Sequence, residues 1–254
     1  MDFNFDILAL LFVVAMIAGF IDAIAGGGGL ITVPALLAVG VPPTLALGTN
    51  KLQGSGGSFA ASLYFIRKKT VNLKEIKWLI ILTFLGSSIG TILIQLMDAD
   101  ALKMIIPFLI FIVGLYFLFS PNLGKKDAIQ RISLTLFGIT AAIGIGFYDG
   151  FLGPGAGSFF TLAFVSLLGF NLPKSVAHAK ILNFTSNSAA LLFFILGGAV
   201  LWKVGLFMMI GQFIGGNLGA RMVVTKGQKL IRPMIVIMSF TMVIKMLYDQ
   251  GYFY

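Results

Sequence analysis

The sequence is defined first by what it lacks. It contains no cysteine, so disulfide bonds and thiolate metal sites are excluded and the redox compartment stays undetermined. Charged residues make up only 11% of the chain, against about a quarter in a soluble domain. No basic stretch precedes the first apolar run, so we expect no cleavable signal peptide. No G-x4-GK[ST] motif occurs, which excludes a P-loop ATP site, and no metal or other cofactor is predicted.

Long apolar segments fill the chain instead. Hydrophobic residues make up 58% of the sequence and the mean hydropathy is +1.01, which predicts an all-α polytopic membrane protein. A bilayer core of about 30 Å needs about 20 apolar residues in a helix. Six clear candidates are Ile7–Ile24, Trp78–Met97, Met104–Phe119, Ile132–Leu152, Val204–Val224 and Met234–Tyr248. With the segments described next, we expect about eight transmembrane helices.

Four further segments are less regular. Leu30–Gly40 and Gly157–Gly169 have only 11 and 13 residues, about 17–20 Å as helices, whereas Leu45–Ile66 and Val176–Val200 are long but rich in polar residues. Each short segment is joined to a long one by a tight turn, "VPP" or "NLP". We therefore predict two broken or re-entrant helical hairpins, each entering and leaving by the same face of the membrane. Whether the short arms cross fully stays open.

Basic residues are concentrated in three loops, which together hold twelve of the 18 lysines and arginines. These are Arg67, Lys68, Lys69, Lys74 and Lys77; Lys125, Lys126 and Arg131; and Arg221, Lys226, Lys229 and Arg232. Cytoplasmic loops of membrane proteins carry such an excess. The loops around residues 98–103 and 202–203 carry one basic residue each and are placed outside. This arrangement predicts both termini outside, and it explains the net charge of +9 without nucleic acid as a partner.

The two halves of the chain repeat one another. "GFIDAIAGGGG" (Gly19–Gly29) matches "GFYDGFLGPGA" (Gly146–Ala156), and after a two-residue insertion Lys51 aligns with Lys180. Each half contains one span, one hairpin and two more spans, so it crosses an odd number of times and its copy must be inverted. We predict a first repeat at residues 1–122, a cytoplasmic linker at 123–131 and an inverted second repeat at 132–254. Inverted repeats with broken helices are typical of secondary transporters.

Two kinds of glycine pattern occur. The spaced sets Gly86/Gly90 and Gly211/Gly215/Gly219 are typical of close helix packing. The adjacent glycines of Gly26–Gly29 and of Gly153–Pro154–Gly155 point all round a helix and instead favour unwound backbone. Unwound backbone at membrane depth persists only where it is buried in protein or lines a cavity. Helix starts after such breaks present free N–H groups that bind anions.

Lys51 and Lys180 lie inside apolar spans, where a lysine costs about 2.5–3.5 kcal/mol. Lys51 is about 24 Å along a helix from Arg67, which is too deep for its side chain to reach the headgroups. Amides and hydroxyls surround both lysines, which predicts a pocket for a small anion with several equivalent oxygens. The candidate binding residues are Lys51, Lys180, Thr49, Asn50, Gln53, His178, Asn183, Gly27, Gly28 and Gly155.

Asp22 and Asp149 are repeat mates and the only acids inside the spans. One interpretation is that they neutralise the two lysines when no substrate is bound. The other is proton or cation coupling, since each carboxylate lies near the negative pole of a broken helix. Both interpretations stay open from the sequence.

These motifs together resemble the TauE/SafE family of sulfite and organosulfonate transporters. The resemblance covers essentially the whole chain and depends on "GFIDAIAGGGGLITVPALLAVGVPP", "ALGTNKLQGSGGSFAA", "GFYDGFLGPGAGSFFTLAF" and "AHAKILNF". It implies a duplicated inner-membrane protein of about eight spans, with sulfite, sulfonates or related sulfur-containing anions as substrates. Pro154 and Ala156 replace glycines of the first copy, so the two breaks differ.

We therefore expect a secondary transporter for a small anion, working by alternating access in a bacterial-type plasma or inner membrane. An anion channel that uses the same pocket is the alternative. An intramembrane enzyme built on Ser175 and His178 is disfavoured, because no orienting acid or glycine elbow accompanies the pair. The predicted partners are the anionic substrate, the lipid bilayer and a coupling proton or cation, and the sequence is compatible with an oligomer.

Overall fold

The computed structural model describes residues 3–96 and 124–249, and its regular structure in these ranges is entirely helical. In chain order the helices are α1 (Phe5–Ala25), α2 (Gly29–Ala38), α3 (Pro43–Arg67), α4 (Lys77–Leu96), α5 (Leu134–Phe151), α6 (Ala156–Leu168), α7 (Leu172–Leu196), α8 (Trp202–Lys226) and α9 (Gln228–Asp249). One turn of α5, Gly138–Ala142, is π-helical. The predicted span Met104–Phe119 and the loop at 98–103 lie outside the described residues.

Four of these helices, α1, α4, α5 and α7, are long and apolar enough to cross a membrane. Helices α3 and α8 have 25 residues each, about 37 Å, and so are also long enough to span it. Their sequences are less apolar because glycine and polar side chains interrupt them. The prediction of an all-helical polytopic membrane protein is confirmed, while the count of about eight spans stays a prediction.

The two predicted hairpins are present, each with one short and one long arm. In the first, α2 has 10 residues, about 15 Å, and the turn after it leads into α3. In the second, α6 has 13 residues, about 20 Å, and ends at Gly169, whose φ of +70° favours glycine. Asn171 then accepts a hydrogen bond from the Lys174 N–H and caps α7. The short arms thus reach only about half to two-thirds of the way across a bilayer core.

The three basic loops lie at the same end of the helix bundle, here called the basic end. Val71 of the first loop packs in one apolar cluster with Leu168 and Leu172, and with Ile231 of α9. The loop at residues 124–131 joins the same end through backbone hydrogen bonds to the α6–α7 turn. This grouping agrees with the charge pattern, and which side of the membrane the basic end faces stays a prediction.

The two hairpin turns lie at opposite ends of the bundle. The α6–α7 turn is at the basic end, whereas Val41 of the α2–α3 turn packs with Leu8 of α1 and Val204 of α8 in a separate cluster. Consequently α3 runs toward the basic end, where Phe65 packs, and α7 runs away from it. The two long hairpin arms are therefore antiparallel, which is the relation that an inverted repeat requires.

The spaced glycines bring helices from the two halves into close contact. A Cβ at Gly86 of α4 would lie 2.3 Å from the carbonyl oxygen of Ile143 in α5, and one at Gly215 of α8 would lie 1.9 Å from that of Met16 in α1. Gly90, Gly211 and Gly219 approach the same partner helices equally closely. The packing role predicted for these glycines is confirmed, since any larger residue would displace backbone from backbone.

Candidate functional site

Both predicted helix breaks are present. Helix α1 ends at Ala25, and Gly26 and Gly27 follow with φ of +80° and +92° before α2 begins. In the second half, Gly153 and Gly155 have φ of +91° and +83° before α6 begins. Backbone angles of this kind are accessible to glycine and strained for other residues, which explains the composition of both breaks.

The two breaks pack directly against each other. A Cβ at Gly26 would lie 2.4 Å from the backbone nitrogen of Ser158, so only glycine fits there. The Ser158 hydroxyl donates a hydrogen bond to the carbonyl oxygen of Ala25, the last residue of α1. The irregular backbone after α1 is thus covered by the first turn of α6 from the other half, away from lipid.

Lys51 and Lys180 occupy equivalent places in the two long hairpin arms. Each is the ninth residue of its 25-residue helix, and their exposed fractions are 2% and 1%. Neither ammonium group faces lipid or reaches a headgroup. Because a buried cation without a partner is costly, each lysine must find its counter-charge inside the protein.

Lys51 finds its counter-charge in the other half of the chain. Its ammonium donates to Asp149 Oδ1 at 2.8 Å and also to the Asp149 carbonyl oxygen. The second carboxylate oxygen of Asp149 accepts from Asn183 Nδ2 at 3.0 Å and from the Ser186 hydroxyl. Both oxygens of the Asp149 carboxylate therefore accept hydrogen bonds, one from Lys51 and the other from Asn183 and Ser186.

Lys180 makes the reciprocal ion pair. Its ammonium lies 2.8 Å from Asp22 Oδ2, and the other oxygen of Asp22 accepts the backbone N–H of Gly28 at 3.0 Å. We call Lys51–Asp149 and Lys180–Asp22 the crossed ion pairs, because each joins a lysine of one half to an aspartate of the other. In this structure each aspartate thus forms an ion pair with a lysine of the other half, and its role as counter-charge in the absence of substrate stays a prediction.

A small polar cavity, the central pocket, lies between the two breaks. It is lined by Asp22, Gly27, Gly28, Gly29, Asn50, Lys51, Gln53, Gly54, Asp149, Gly153, Ala156, Gly157, Asn183, Asn187 and Gln212. Its free volume is about 30 Å³, enough for the centre of a water molecule to move within it. Seven helices and both breaks contribute, so the pocket is an interface between the halves.

Buried amides complete the pocket wall. Asn50 Oδ1 accepts hydrogen bonds from Gln53 Nε2 and from the Thr32 hydroxyl, both at 2.7 Å. Gln53 Oε1 is buried and has no partner among the described residues. Across the pocket, Asn183 lies between the crossed ion pairs, since its Nδ2 donates to Asp149 and its Oδ1 lies 3.5 Å from the Lys180 ammonium. The two lysines are thus connected by one continuous polar chain.

Four of the predicted binding residues do not line the pocket. Thr49 and His178 each precede a lysine by two residues, which turns their side chains about 200° away around the helix. The Thr49 hydroxyl accepts the N–H of Leu201, and His178 packs against two phenylalanine rings while its Nδ1 contacts the Lys174 carbonyl oxygen at 2.7 Å.

The break places Gly153 in the wall instead of Gly155, which caps α6. Lys180 lies just behind the wall, since a Cβ at Gly157 would lie 3.1 Å from its ammonium.

Sequence reasoning missed Gln212 as a pocket residue. This glutamine is 2% exposed in the middle of α8, and its Oε1 lies against Gly57 and Gly19, where a Cβ would come within 2.4 and 2.6 Å. The signal was available, because an amide near the middle of a membrane span marks an internal polar site. Asn187, which is not among the candidate binding residues, also lines the pocket.

The structure does not support catalysis by Ser175. Its hydroxyl donates to the carbonyl oxygen of Phe170 at 3.2 Å, and His178 is engaged with Lys174. Within residues 3–96 and 124–249, no three His, Cys, Asp or Glu side chains come close enough to hold a metal ion. Ion pairs and amide hydrogen bonds are therefore the polar interactions that characterise the described part of the site.

Comparison with known proteins agrees with this architecture. The sequence profile of the family described as sulfite exporter TauE/SafE matches residues 11–246. The chain belongs to the TauE/SafE family. It is 61% identical to a probable membrane transporter protein of Haemophilus influenzae over the full length of both chains. It is 56% identical to the probable membrane transporter protein YfcA of Escherichia coli, covering 96% of this chain and 91% of the relative.

A more distant relative matches over a smaller share of the chain. The probable membrane transporter protein YunE of Bacillus subtilis is 25% identical over 83% of this chain and 86% of its own length. No solved structure matches the chain. The relatives bear names of membrane transporters and the described helices include four membrane-span candidates, so this TauE/SafE protein is a membrane protein of a transporter family.

Proposed function

We propose that this protein is a secondary transporter that moves a small anion by alternating access between two inverted repeats. The observation that carries the proposal is the pair of crossed ion pairs at the central pocket. Each repeat supplies a buried lysine, an aspartate and a broken helix, and each charge is matched by a charge of the other repeat. Two halves held together through exchangeable charges can separate alternately toward either side of the membrane.

The inverted arrangement has structural support. The lysines have the same position in two helices of equal length, the hairpin turns lie at opposite ends, and the last part of each half packs on the first helix of the other. With the basic end in the cytoplasm of a bacterial-type plasma or inner membrane, both termini lie outside, as the charge pattern predicts.

The substrate that best fits the pocket is a small oxyanion or sulfonate. Gly28 presents a backbone N–H at the start of α2, and the amides of Asn50 and Asn187 lie beside the lysines. A tetrahedral or pyramidal anion has several equivalent oxygens, so it can accept from donors on opposite walls at once. Sulfite and organosulfonates have this chemistry, and they agree with the description of the family whose profile matches.

Anion binding in this site requires an exchange of partners. The two lysines and two aspartates carry no net charge together, so a substrate anion must take the place of a carboxylate on a lysine ammonium. Such an exchange needs little energy beyond desolvation, because one charge-assisted hydrogen bond replaces another.

The test is transport by the purified protein in proteoliposomes. We expect uptake of 35S-labelled sulfite or of a labelled organosulfonate, and we expect Lys51→Ala and Lys180→Ala each to abolish it while membrane insertion persists. Lys126→Ala is the matched control, because this lysine is exposed in a loop at the basic end. Undiminished flux in both pocket variants would refute the site, and no flux of any panel anion in the wild type would refute the proposed substrates.

A further inference from the structure

The crossed ion pairs are chemically unequal although they occupy equivalent positions. The side chains of Lys51 and Asp149 are each 2% exposed, so this pair is fully enclosed. In the other pair Lys180 is 1% exposed, whereas the Asp22 side chain is 18% exposed. Only Asp22 among the four charged groups therefore has appreciable access to water in this structure.

The hydrogen bonds to the two carboxylates differ as well, and more of them hold Asp149 than Asp22. The Asp149 carboxylate accepts from Asn183 and Ser186 in addition to Lys51. The Asp22 carboxylate accepts from Lys180 and from the backbone N–H of Gly28. If the lysine leaves, Asp149 keeps two side-chain donors that stabilise its charge, whereas Asp22 keeps a single backbone donor.

The cause of this difference is visible in the sequence. Asn183 and Ser186 follow Lys180 by three and six residues on α7. The residues that follow Lys51 at the same spacing on α3 are Gly54 and Gly57, which have no side chain to donate. The scaffold is therefore repeated, but the donors that hold the carboxylate are present in only one copy.

We propose that Asp22 is the proton-coupling residue and that the Lys51–Asp149 pair stays closed during transport. This inference rests on the proposed function. In the step, the bond from the Lys180 ammonium to Asp22 Oδ2 breaks and the ammonium donates to a substrate oxygen instead. Asp22 then binds a proton from water in the pocket, so a monovalent anion and one proton enter the site together and its net charge stays zero. The activity is anion–proton symport, and the direction follows the gradients.

Few other charged groups lie close enough to Asp22 to take up the proton in its place. From the helices packed on α1, Lys180 of α7 and Lys51 of α3 are the charged residues at the pocket, and Asp149 of α5 lies across it. Helices α2 and α6 contain no charged residue. Helix α8 faces the pocket with the neutral Gln212, and α9 does not line it.

Calorimetry measures the coupled proton directly. Purified protein is titrated with methanesulfonate, whose charge does not change with pH, in buffers of different ionisation enthalpy. For the wild type we expect one proton taken up per anion bound and, where that uptake is complete, an affinity that falls about tenfold for each pH unit raised. Asp22→Asn imitates the protonated residue, so it should bind the anion with no proton uptake and no pH dependence. Asp6→Asn, an exposed acid on the same helix, is the control and should behave as the wild type.

Proton uptake that persists in Asp22→Asn would overturn the assignment, whereas absence of binding by the wild type would instead overturn the proposed sulfonate substrate. A second measurement locates the protonated carboxyl with methanesulfonate bound. A hydrophobic carbodiimide modifies protonated carboxyls in apolar surroundings, and peptide mass spectrometry locates the adduct. We expect modification of wild-type Asp22 at least tenfold above that of Asp149, and equal or greater modification of Asp149 would refute the assignment.

Discussion

The enclosed pair Lys51–Asp149 gives the sharpest stability prediction. Substituting Asp149→Asn removes the anionic partner of Lys51, which is 2% exposed. It also replaces one carboxylate oxygen by an NH2 group, which must face either Lys51 or the donors of Asn183 and Ser186. Removing one partner of a buried ion pair costs about 3–5 kcal/mol, because the other charge stays buried and uncompensated. For a chain of this size that loss corresponds to a lowering of the melting temperature by roughly 6–20 °C.

The assay is the fraction of detergent-solubilised protein that stays monodisperse in size-exclusion chromatography after heating. The matched comparison is Asp22→Asn, which should lose less than half as much because Asp22 is partly hydrated. The double variant Lys51→Met/Asp149→Asn removes both charges and should recover most of the lost stability. Equal losses in Asp149→Asn and Asp22→Asn would refute the inequality of the pairs, and a double variant no more stable than Asp149→Asn would refute the ion pair as the cause.

Three further outcomes follow from packing and orientation. Gly215→Ala should destabilise the fold by displacing α1, whereas Gly144→Ala, on an open helix face, should stabilise it by about 0.5–1 kcal/mol, both read from the same heating assay. Gly26→Ala should lower the free energy of unfolding by at least about 1–3 kcal/mol, because alanine is strained at a positive φ. A variant as stable as the wild type would refute the close packing of Gly26 against Ser158. With a membrane-impermeant maleimide on intact cells, Lys203→Cys should react and Lys126→Cys should react only after permeabilisation, against a background free of native cysteine. The reverse labelling pattern would show that the basic end faces the outside of the cell.

The sequence was sufficient for features that depend on one helix alone. Adjacent glycines at Gly26–Gly29 predicted a break because no other residue tolerates those backbone angles, and the structure has the break there. The depth of Lys51 followed from its distance to Arg67 along a single helix. The hairpins followed from segment length and from the turns that contain proline. Each inference needed only local geometry and the thickness of the bilayer.

Features that depend on the rotation of one helix against another were not predictable in this way. Sequence position gives the depth of a side chain but not the neighbour it faces, so the crossing of Lys51 to Asp149 instead of to Asp22 was left open. The same limit explains Thr49 and His178, which lie at the right depth but on the wrong face. Gln212 entered the pocket from α8, a helix whose glycines had been interpreted only as packing surfaces.

The crossed ion pairs favour a carrier over a channel that uses the same pocket. A carrier must return empty, and two unpaired lysines at membrane depth would add roughly 5–7 kcal/mol to that step on insertion scales. Pairing each lysine with an aspartate of the other half removes this cost, so the empty site can reorient. A channel has no empty return, and it attracts anions best when its cations are unpaired along an open path. Here both lysines are paired, so a resolvable anion conductance in planar bilayers would contradict the carrier mechanism.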